Sequence, residues 1–519
     1  MFHPRRTIRA LLLPLLAGLA LTALPAPSAQ AASTLTNGGF ESDGAGAAVP
    51  AGWSEYGTTA ASFSEAGGHS GGYRLSHWSS SAYKVETYQY LSGLTNGTYT
   101  LTAWVRSSGG QNAAYLSLKN CGSAEQRTDL PVSTSEWVRV VTSVAVTNNQ
   151  CTISVNSDAN AGNWINVDDL TLTSGSTGLA IKGADISSLA KSEALGGVYK
   201  SASGTTGDAV TLLKNAGMNY ARLKVWVNPA DGWNNKTRVL AMAKRVKAAG
   251  MKLLVDFHYS DTWADPGKQT KPAAWSGHGY SQLKTDVYNH TYDVLNALKA
   301  QGTTADMVQV GNEINGGMLW SEGYTDNWSQ LAGLINSGYS AVKAVSSGTK
   351  VALHLANAGD DGTVRWWFDN ARTYGINYDV IGLSYYGYWH GSLAAAQATL
   401  DDTAARYGKP VFIAETAYPF RLDSDDALTN QIDTTGELVG GYPATTVGQL
   451  AWMNAVANIV EAVPNGRGLG VFYWEATWTA VSGNGWDPAD ATSGNGWENQ
   501  ALFGYDDRAL PATAWFSHR

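Results

Sequence analysis

The hydrophobic pattern of the chain changes once, near residue 174. Before that point apolar and polar residues alternate over short runs, as in residues 98–106 and 137–146, and turn residues such as Asn96-Gly97 separate the runs. Alternation with a period of two is typical of strands that bury one face. Residues 33–173 are therefore predicted to form an all-β sandwich.

A second pattern begins after a flexible Gly/Ser join at residues 174–178. Strand-length apolar runs now alternate with segments of helical periodicity. The predicted strands are residues 179–184, 220–226, 252–257, 307–311, 350–355, 380–385, 411–414 and 468–474. The predicted helices include residues 237–249, 282–300, 329–345, 393–406 and 447–463. This order predicts an α/β fold, a (β/α)8 TIM barrel over residues 179–519. An open doubly wound sheet is the alternative, although its Gly-rich phosphate loop is absent from the sequence.

The first 32 residues have the pattern of a signal peptide. Arg5 and Arg6 precede an apolar run at residues 10–24, and Ala29-Gln-Ala31 offers small residues for cleavage. Because the run is too short to span a membrane, we expect a secreted, extracellular protein without a membrane partner.

Cys121 and Cys151 are the two cysteines of the chain, and both fall in the predicted sandwich. In an exported protein such a pair predicts a disulfide, and two buried thiols are the alternative.

Charge and aromatic content limit the kinds of partner that the protein can bind. The formal net charge of −8 argues against a nucleic-acid partner, which needs a basic surface. The 20 Trp and 25 Tyr residues are compatible with sugar binding, because aromatic rings stack on sugar faces, but aromatic rings also fill cores. We expect the protein to act as a monomer.

Two predicted strands end on a glutamate. Met307-Val-Gln-Val-Gly-Asn-Glu313 contains the fourth barrel strand, and Val411-Phe-Ile-Ala-Glu415 contains the seventh. Barrel active sites form at the carboxyl ends of the strands, so both carboxylates are predicted to face one mouth. Paired carboxylates are the working groups of most glycoside hydrolases. Two unrelated salt-bridged glutamates are the alternative.

Other strand ends offer residues that such a pair would need. A carboxylate nucleophile has to stay ionised, and Arg222 with Tyr385 or Tyr386 would keep it so. Asn312 is a candidate ligand for a sugar 2-hydroxyl. Trp474 would form a floor for the sugar ring.

Five motifs resemble those of glycoside hydrolase family 53, the arabinogalactan endo-β-1,4-galactanases. They are Gly183-Ala-Asp-Ile-Ser187, Arg222-Leu-Lys-Val-Trp-Val-Asn-Pro229, Asp256-Phe-His-Tyr-Ser-Asp-Thr-Trp-Ala-Asp-Pro266, Gly311-Asn-Glu-Ile-Asn315 and Ala414-Glu-Thr-Ala-Tyr418. The resemblance implies a retaining enzyme that cuts the β-1,4-galactan side chains of pectin and needs no cofactor for catalysis. It also implies that Glu313 is the acid/base and Glu415 the nucleophile. The further substrate-binding residues implied are Arg222, His258, Asn312, Tyr385 or Tyr386, and Trp474.

Two features of the barrel loops leave alternatives open. Trp320 and Trp389 are candidates for sugar subsites, with packing as the alternative. Trp486 and Trp497 end the two copies of a Ser-Gly-Asn-Gly-Trp repeat and are candidates for sugar stacking, with a rigidified loop as the alternative. Some members of the family hold a structural calcium ion in the loop after the seventh strand. The corresponding ligands here would be Asp423, Asp425, Asp426 and Asn430, with a solvated acidic loop as the alternative.

The N-terminal domain resembles jelly-roll carbohydrate-binding modules, with family 61 as the nearest. The resemblance rests on Asn37-Gly-Gly-Phe-Glu41 and Asn166-Val-Asp-Asp-Leu-Thr-Leu172. It implies a calcium ion held by Glu41 and Asp169, and a calcium-free salt-bridge arrangement is the alternative. The candidate sugar contacts of this module are Trp78, Tyr83, Arg106, Tyr115 and Lys119.

Two other functions stay open at this point. One is another retaining β-glycanase of the same barrel type, such as a mannanase. The other is a polysaccharide-binding protein without catalytic activity.

Overall fold

A computed structural model describes residues 34–174 and 178–517 of the chain. Ten antiparallel strands form two five-stranded sheets, and eight further strands close into a parallel barrel. The predicted fold class, a sandwich followed by a (β/α)8 barrel, is thus confirmed. The predicted signal peptide and residues 175–177 of the predicted join lie outside the described residues.

The sandwich contains β1 to β10. These strands are Ser54–Gly57, Ser62–Ala66, Tyr73–Trp78, Tyr83–Ser92, Gly97–Ser107, Ala113–Lys119, Gln126–Asp129, Ser133–Val146, Gln150–Ala159 and Trp164–Ser174. One sheet has the order β1-β4-β9-β6-β7 and the other β2-β3-β10-β5-β8. Alternate residues of both sheets fill the core between them, since successive side chains of a strand point to opposite faces. Cys121 and Cys151 form the predicted disulfide at the edge of this core.

The barrel contains β11 to β18. These strands are Ile181–Asp185, Tyr220–Val225, Lys252–Phe257, Met307–Val310, Lys350–Leu355, Val380–Ser384, Val411–Thr416 and Gly468–Tyr473. The helices α1 to α8 are Leu189–Ala194, Ala209–Ala216, Lys236–Ala248, Tyr280–Ala300, Trp328–Val345, Asp361–Thr373, Leu393–Tyr407 and Thr446–Glu461. The eight predicted strands and the five predicted helices all occur, with ends displaced by one or two residues.

Helix α6 is missing from the predicted helices although its sequence carries a signal. Asp360 caps its first turn by accepting a hydrogen bond from the Thr363 amide. Val364, Trp367, Phe368 and Ala371 then follow at helical spacing and are all buried. The tryptophan-rich stretch has the periodicity of a helix that packs against the barrel.

The barrel interior consists of two layers of different chemistry. The lower layer is apolar and includes Tyr220, Leu254, Met307, Ala352 and Phe412. Two residues further along four of these strands, the same face carries Arg222, Asp256, Gln309 and His354, all buried. Because residues i and i+2 of a strand share a face, the polar layer lies directly above the apolar one, at the carboxyl end of the barrel.

The sandwich packs against α7 and α8 through β8. Val138 joins the apolar core cluster of the barrel. The Arg139 guanidinium donates to the Ala462 carbonyl at 2.7 Å, and its backbone amide donates to Gln397 Oε1 at 3.1 Å. Gly441, in the loop before α8, has a φ of +88°, and a Cβ placed there would lie 2.4 Å from the Cβ of Val132. The two domains therefore share a direct interface in addition to their covalent join.

No helix within residues 34–174 and 178–517 is long and apolar enough to cross a membrane.

Candidate active site

The two candidate glutamates occupy the carboxyl ends of β14 and β17. Glu415 lies within β17, and Glu313 follows the end of β14 by three residues. Glu313 has a φ of +47°, in the left-handed region that non-glycine residues seldom adopt. Such a conformation persists only where the surroundings enforce it, and it is common at functional sites.

Ser384 lies between the two carboxylates. It is the last residue of β16 and the register partner of Glu415 on β17. Its hydroxyl donates to Glu313 Oε1 at 2.6 Å. Because neighbouring strands lie about 4.8 Å apart, this arrangement holds both carboxyl groups at one point of the barrel mouth.

Arg222 is the centre of the polar layer and is fully buried. Its Nη2 lies 2.8 Å from Glu415 Oε1. The same guanidinium donates to Asp185, Asp256, Gln309 and Asn312 over 2.8 to 2.9 Å. Although burial acts against the charge, the surrounding carboxylates raise the pKa of Arg222. The guanidinium is therefore a permanent positive charge beside Glu415.

The surroundings of the two glutamates differ in a way that separates their roles. Burial raises the pKa of Glu313 to about 7, and the Ser384 hydroxyl acts in the opposite direction. Burial also raises the pKa of Glu415, but Arg222 opposes it, and Tyr386 donates to Oε2 at 3.1 Å. An ion pair and a hydroxyl donor both favour the charged form. The contacts with Arg222 and Tyr386 therefore favour the charged form of Glu415, whereas burial favours the protonated form of Glu313.

The polar atoms of His258 and Asn312, two of the predicted substrate contacts, are largely engaged in the network around Arg222. His258 Nε2 lies 3.0 Å from Asp256 Oδ2, and its Nδ1 accepts from the Ala264 amide at 3.1 Å. Asn312 Oδ1 accepts from Arg222, and its Nδ2 donates to the Ala264 carbonyl at 2.8 Å. Both side chains thus help to fix the arginine layer.

The structure separates the two candidate tyrosines. Tyr386 reaches Glu415, whereas Tyr385 is fully buried against Trp452 of α8 and donates to the Gly391 carbonyl at 3.0 Å. Both tyrosines follow the last residue of β16, and Tyr386 is the one whose hydroxyl contacts a catalytic candidate. A substrate contact of Tyr385 stays a prediction, at a side chain that is fully buried.

An aromatic wall follows the barrel mouth beside the carboxylates. Trp474 is half-buried and packs edge to face on Trp497 at a centroid distance of 4.7 Å. Trp497 also contacts Tyr386 and Trp389, and Trp389 is 52% exposed. At the other end, Trp263 packs on Trp474. Apolar ring faces along a cleft are what a sugar chain stacks on.

The predicted subsite residues Trp486 and Trp320 have different surroundings. Trp486 is 49% exposed, and its carbonyl accepts from Trp263 Nε1 at 2.6 Å, so it extends the wall. Trp320 lies in the loop after β14 and stacks on Tyr324 at 4.7 Å. Trp497 is the tryptophan that joins the two halves of the wall. It stands in the second copy of the Ser-Gly-Asn-Gly-Trp repeat that contains Trp486.

A buried ion pair, Lys224 with Glu475, packs against Trp263 of the aromatic wall. Lys224 Nζ lies 2.5 Å from Glu475 Oε1, and Glu475 Oε2 accepts from the Ser188 amide at 3.1 Å. The ammonium also lies 4.0 Å from the ring centroid of Trp263. A cation in that position attracts the ring electrostatically and fixes its orientation. The sequence prediction did not include this pair.

The predicted calcium ligands of the sandwich are occupied by hydrogen-bond donors. Glu41 Oε1 accepts from the amides of Gly72 and Tyr73, both at 2.8 Å. Asp169 accepts from the Ser70 hydroxyl at 2.7 Å and lies 2.7 Å from His69 Nδ1. Within the part of the chain that the structure describes, no three His, Cys, Asp or Glu side chains converge as metal ligands. Calcium at this position remains a prediction.

The acidic loop after β17 is tied to the following loop by Glu498, a residue absent from the predicted ligand set. Asp423 pairs with Arg421, and Asp426 accepts from the Asn495 amide at 2.6 Å. Glu498 Oε1 accepts from the amides of Asp425 and Asp426, and burial raises the pKa of Glu498 to about 7. Among the described residues, Asn430 Oδ1 and Glu498 Oε2 are buried without a hydrogen-bond partner. Both are oxygens of the kind that calcium binds, and a calcium ion in this loop also stays a prediction.

A groove of about 630 Å³ crosses the outer face of the β1-β4-β9-β6-β7 sheet. Its lining includes Tyr56, Lys84, Glu86, Tyr115, Lys119 and Arg127. Tyr115 and Lys119 are two of the five predicted sugar contacts, and the Arg127 guanidinium lies 4.5 Å from the Tyr115 ring centroid.

The other three predicted sugar contacts lie away from this groove. Tyr83 is buried and donates to the carbonyls of His77 and Asn163. Trp78 and Arg106 belong to the opposite sheet. Of the five predicted sugar contacts, Tyr115 and Lys119 therefore line the groove, and a role for the other three stays a prediction.

Comparison with known proteins identifies relatives of the barrel. The model of glycosyl hydrolase family 53 matches residues 181–516. The endo-beta-1,4-galactanase of Bacillus subtilis (strain 168) is 36% identical over 374 residues, which cover 65% of this chain and 85% of that protein. The solved structure of the Ignisphaera aggregans GH53 catalytic domain superposes with a TM-score of 0.63 at 38% identity. That alignment covers 65% of this chain and 95% of the other.

A further solved structure, TmCBM61 in complex with beta-1,4-galactotriose, aligns with 27% of this chain and 98% of its own. The identity is 23% and the TM-score 0.25, so any function of the sandwich has to be argued from its own side chains.

Proposed function

The chain belongs to glycosyl hydrolase family 53, and from that premise we propose that it is a secreted, retaining endo-β-1,4-galactanase. The family makes it a glycoside hydrolase. The observation that carries the mechanistic part is the unequal pair of carboxylates, with Glu415 bound to Arg222 and Tyr386, and Glu313 accepting a hydrogen bond from Ser384. Two carboxyl groups that differ in charge are what double displacement requires.

In the first step Glu415 acts as the nucleophile. Its ionised carboxylate attacks the anomeric carbon, and the bond to the leaving sugar breaks as Glu313 donates its proton to the departing oxygen. Arg222 keeps Glu415 ionised until the attack. The product of this step is a glycosyl ester of Glu415.

In the second step Glu313 acts as a base. Now ionised, it takes a proton from water, whose oxygen attacks the anomeric carbon and releases Glu415. The configuration at that carbon is inverted twice and so is retained. The raised pKa of Glu313, about 7, suits a group that has to give and take one proton near neutral pH.

The proposed substrate is β-1,4-galactan, such as the side chains of pectin. The support is the relatives named as endo-beta-1,4-galactanases, which are 36 to 37% identical to this chain. The long aromatic wall from Trp486 to Trp389 suits an extended sugar chain that is cut internally. The signal-like pattern of the first 32 residues supports export.

Product analysis on defined polysaccharides tests the proposal. Purified protein is incubated with debranched galactan, β-mannan, xylan and β-glucan, and reducing ends and product sizes are followed over time. We expect galactan to shorten rapidly with release of short galacto-oligosaccharides. Cleavage of mannan or xylan with galactan left intact would overturn the substrate and favour another β-glycanase of this barrel type.

Two glutamate variants test the mechanism on a substrate with an activated leaving group. Glu313→Ala should retain cleavage of a dinitrophenyl glycoside, whose leaving group needs no protonation, and azide should rescue it with the β-configured galactosyl azide as product. Glu415→Ala should yield the α-configured azide instead. Early NMR spectra of the wild-type reaction should show the β-anomer first. An α-anomer appearing first would refute retention.

For the sandwich we propose galactan binding in the groove lined by Tyr115, Lys119 and Arg127. The groove offers an aromatic ring beside charged hydrogen-bonding groups, which is the combination that sugars require. Binding there would keep the barrel close to insoluble substrate and raise its effective concentration.

A further inference from the structure

Two buried polar residues beside Glu313 have no part in the mechanism above. His354 lies in β15 and Ser384 ends β16, and both are fully buried. His354 Nε2 lies 2.8 Å from Ser384 Oγ, which in turn donates to Glu313 Oε1 at 2.6 Å. A polar chain thus leads from the barrel interior to one oxygen of the proposed acid/base.

His354 is neutral in this position. Burial and then the nearby Arg222 charge lower the pKa of His354 well below its usual range. A neutral imidazole has one N–H, and the groups around the ring decide which nitrogen carries it. That choice determines whether Ser384 receives a hydrogen bond from the ring or gives one to it.

Gln309 supplies a donor to the ring. Its Oε1 is occupied by Arg222 Nε at 2.8 Å, which fixes the orientation of the amide. The amide nitrogen then lies 3.1 Å from Asp256 Oδ1 and 3.0 Å from His354 Nδ1. With Nδ1 accepting from Gln309, the ring proton resides on Nε2 and points to Ser384.

The opposite tautomer would break the chain. Asn312 Oδ1 lies 2.9 Å from His354 Nδ1 and would accept a proton placed there. Nε2 would then draw the Ser384 proton toward itself, and Glu313 Oε1 would lose its donor. An ionised Glu313 therefore favours the tautomer with the proton on Nε2, because only that tautomer directs the Ser384 hydroxyl to the carboxylate.

We propose that Ser384 and His354 are positioning residues that hold Glu313 Oε1 through the donor chain Gln309, His354, Ser384, so that Oε2 is the oxygen which exchanges the catalytic proton. In the first step the Oε2 proton passes to the departing oxygen, and in the second step Oε2 takes one from water. The protons of the chain itself stay where they are. The inference rests on the proposed role of Glu313.

The test compares Ser384→Ala with Ser260→Ala. Ser260 is also buried near the mouth, and its hydroxyl accepts from the Thr262 amide, away from Glu313. For each protein kcat/KM is measured against pH on galactan, and at one pH on a dinitrophenyl β-galactobioside. The second substrate does not need an acid for the first step, so it reports whether the rest of the site is intact.

We expect Ser384→Ala to lower kcat/KM on galactan by about 10- to 100-fold, the size of one hydrogen bond to a charged group. On the dinitrophenyl substrate kcat/KM should stay near the wild-type value. Since the Ser384 hydroxyl favours the ionised form of Glu313, its loss raises the pKa of Glu313. The basic limb of the galactan profile should therefore move to higher pH. Ser260→Ala should show neither change.

Equal losses on both substrates with an unmoved basic limb would overturn the proposal and leave Ser384 as a packing residue. Should Ser384→Ala fail to fold, His354→Gln is measured in the same way, since it removes the ring and leaves Ser384 in place. The wild-type arm tests the proposed function separately. If wild-type protein cuts another β-glycan and not galactan, the comparison is made on that glycan.

Discussion

Tyr386 donates its hydroxyl to Glu415 Oε2 at 3.1 Å, while Arg222 occupies the other oxygen of the same carboxylate at 2.8 Å. Each oxygen of the proposed nucleophile thus has its own donor. The carboxylate is held in one orientation and cannot turn away from the anomeric carbon. Such pre-organisation fixes the attacking atom before the substrate arrives.

Loss of the Tyr386 hydroxyl should slow the first step. We expect Tyr386→Phe to lower kcat/KM by about 10- to 100-fold, because a hydrogen bond to a charged group is removed. The pKa of Glu415 should rise, so the acidic limb of the profile should move to higher pH. Tyr385→Phe is the matched control, since its hydroxyl binds the Gly391 carbonyl outside the mouth. If both variants behave alike, Tyr386 does not act on Glu415.

Deprotonation of Glu313 should cause the loss of activity on the basic side of the pH profile. Burial raises the pKa of Glu313 to about 7, and the first step needs the protonated form. Activity on galactan should therefore fall as pH rises through about 7. Glu313→Gln should remove this limb together with most of the activity. A wild-type profile that stays flat to pH 9 would show that another group supplies the proton.

The sequence predicts the barrel well because strand-length apolar runs alternate with helical segments along the chain. On four strands the inward face carries an apolar residue and, two positions later, a polar one, as in Tyr220 and Arg222 or Leu254 and Asp256. That spacing already predicts that Arg222 and Asp256 share one layer of the barrel. The spacing does not tell which side chains form hydrogen bonds with one another. The hydrogen bonds that occupy Asn312 and His258 are therefore seen only in the structure.

Contacts between loops that are distant in the chain are not predicted by the sequence. Trp497 lies far along the chain from Tyr386 and Trp389, yet its ring contacts both. Nothing local to a Gly-rich repeat specifies those contacts. The choice between Tyr385 and Tyr386 is a different case. Both residues follow the end of β16, where the period of the strand no longer applies, so the sequence pattern does not tell which of them contacts Glu415.

The interface between the sandwich and the barrel contains a carboxyl group, that of Asp401, whose charged form destabilises the folded state. Asp401 of α7 has an oxygen that is buried with no hydrogen-bond partner in the described part of the chain. Burial raises the pKa of Asp401 to about 7, with Arg139 acting in the opposite direction. A carboxyl with a raised pKa in the folded state binds its proton more tightly there than in the unfolded chain. The free energy of unfolding therefore falls as pH rises from about 4 to about 7.

Asp401→Asn should remove this loss of stability. At pH 8 we expect the variant to unfold at a higher temperature than the wild type, with a free energy of unfolding that is larger by about 1 kcal/mol or more. At pH 4 the two proteins should unfold at the same temperature. Thermal unfolding at the two pH values measures the difference. Asp293→Asn, at a carboxyl that is 62% exposed, is the control and should show no such dependence on pH. A lower unfolding temperature at pH 8 would mean that Asp401 forms a favourable ion pair with Arg139.

The groove of the sandwich gives the last prediction. Tyr115 and Lys119 lie on the outer face of its sheet, whereas Trp78, an exposed ring of similar appearance in the sequence, belongs to the opposite sheet. If the groove binds galactan, Tyr115→Ala should weaken retention on insoluble galactan by about tenfold, which corresponds to ~1.4 kcal/mol. Activity on soluble galactan should stay unchanged, because the barrel is untouched. Trp78→Ala should change neither quantity. Retention lost with Trp78→Ala and kept with Tyr115→Ala would move the binding surface to the other sheet, since an exposed ring contributes only where the sugar lies against it.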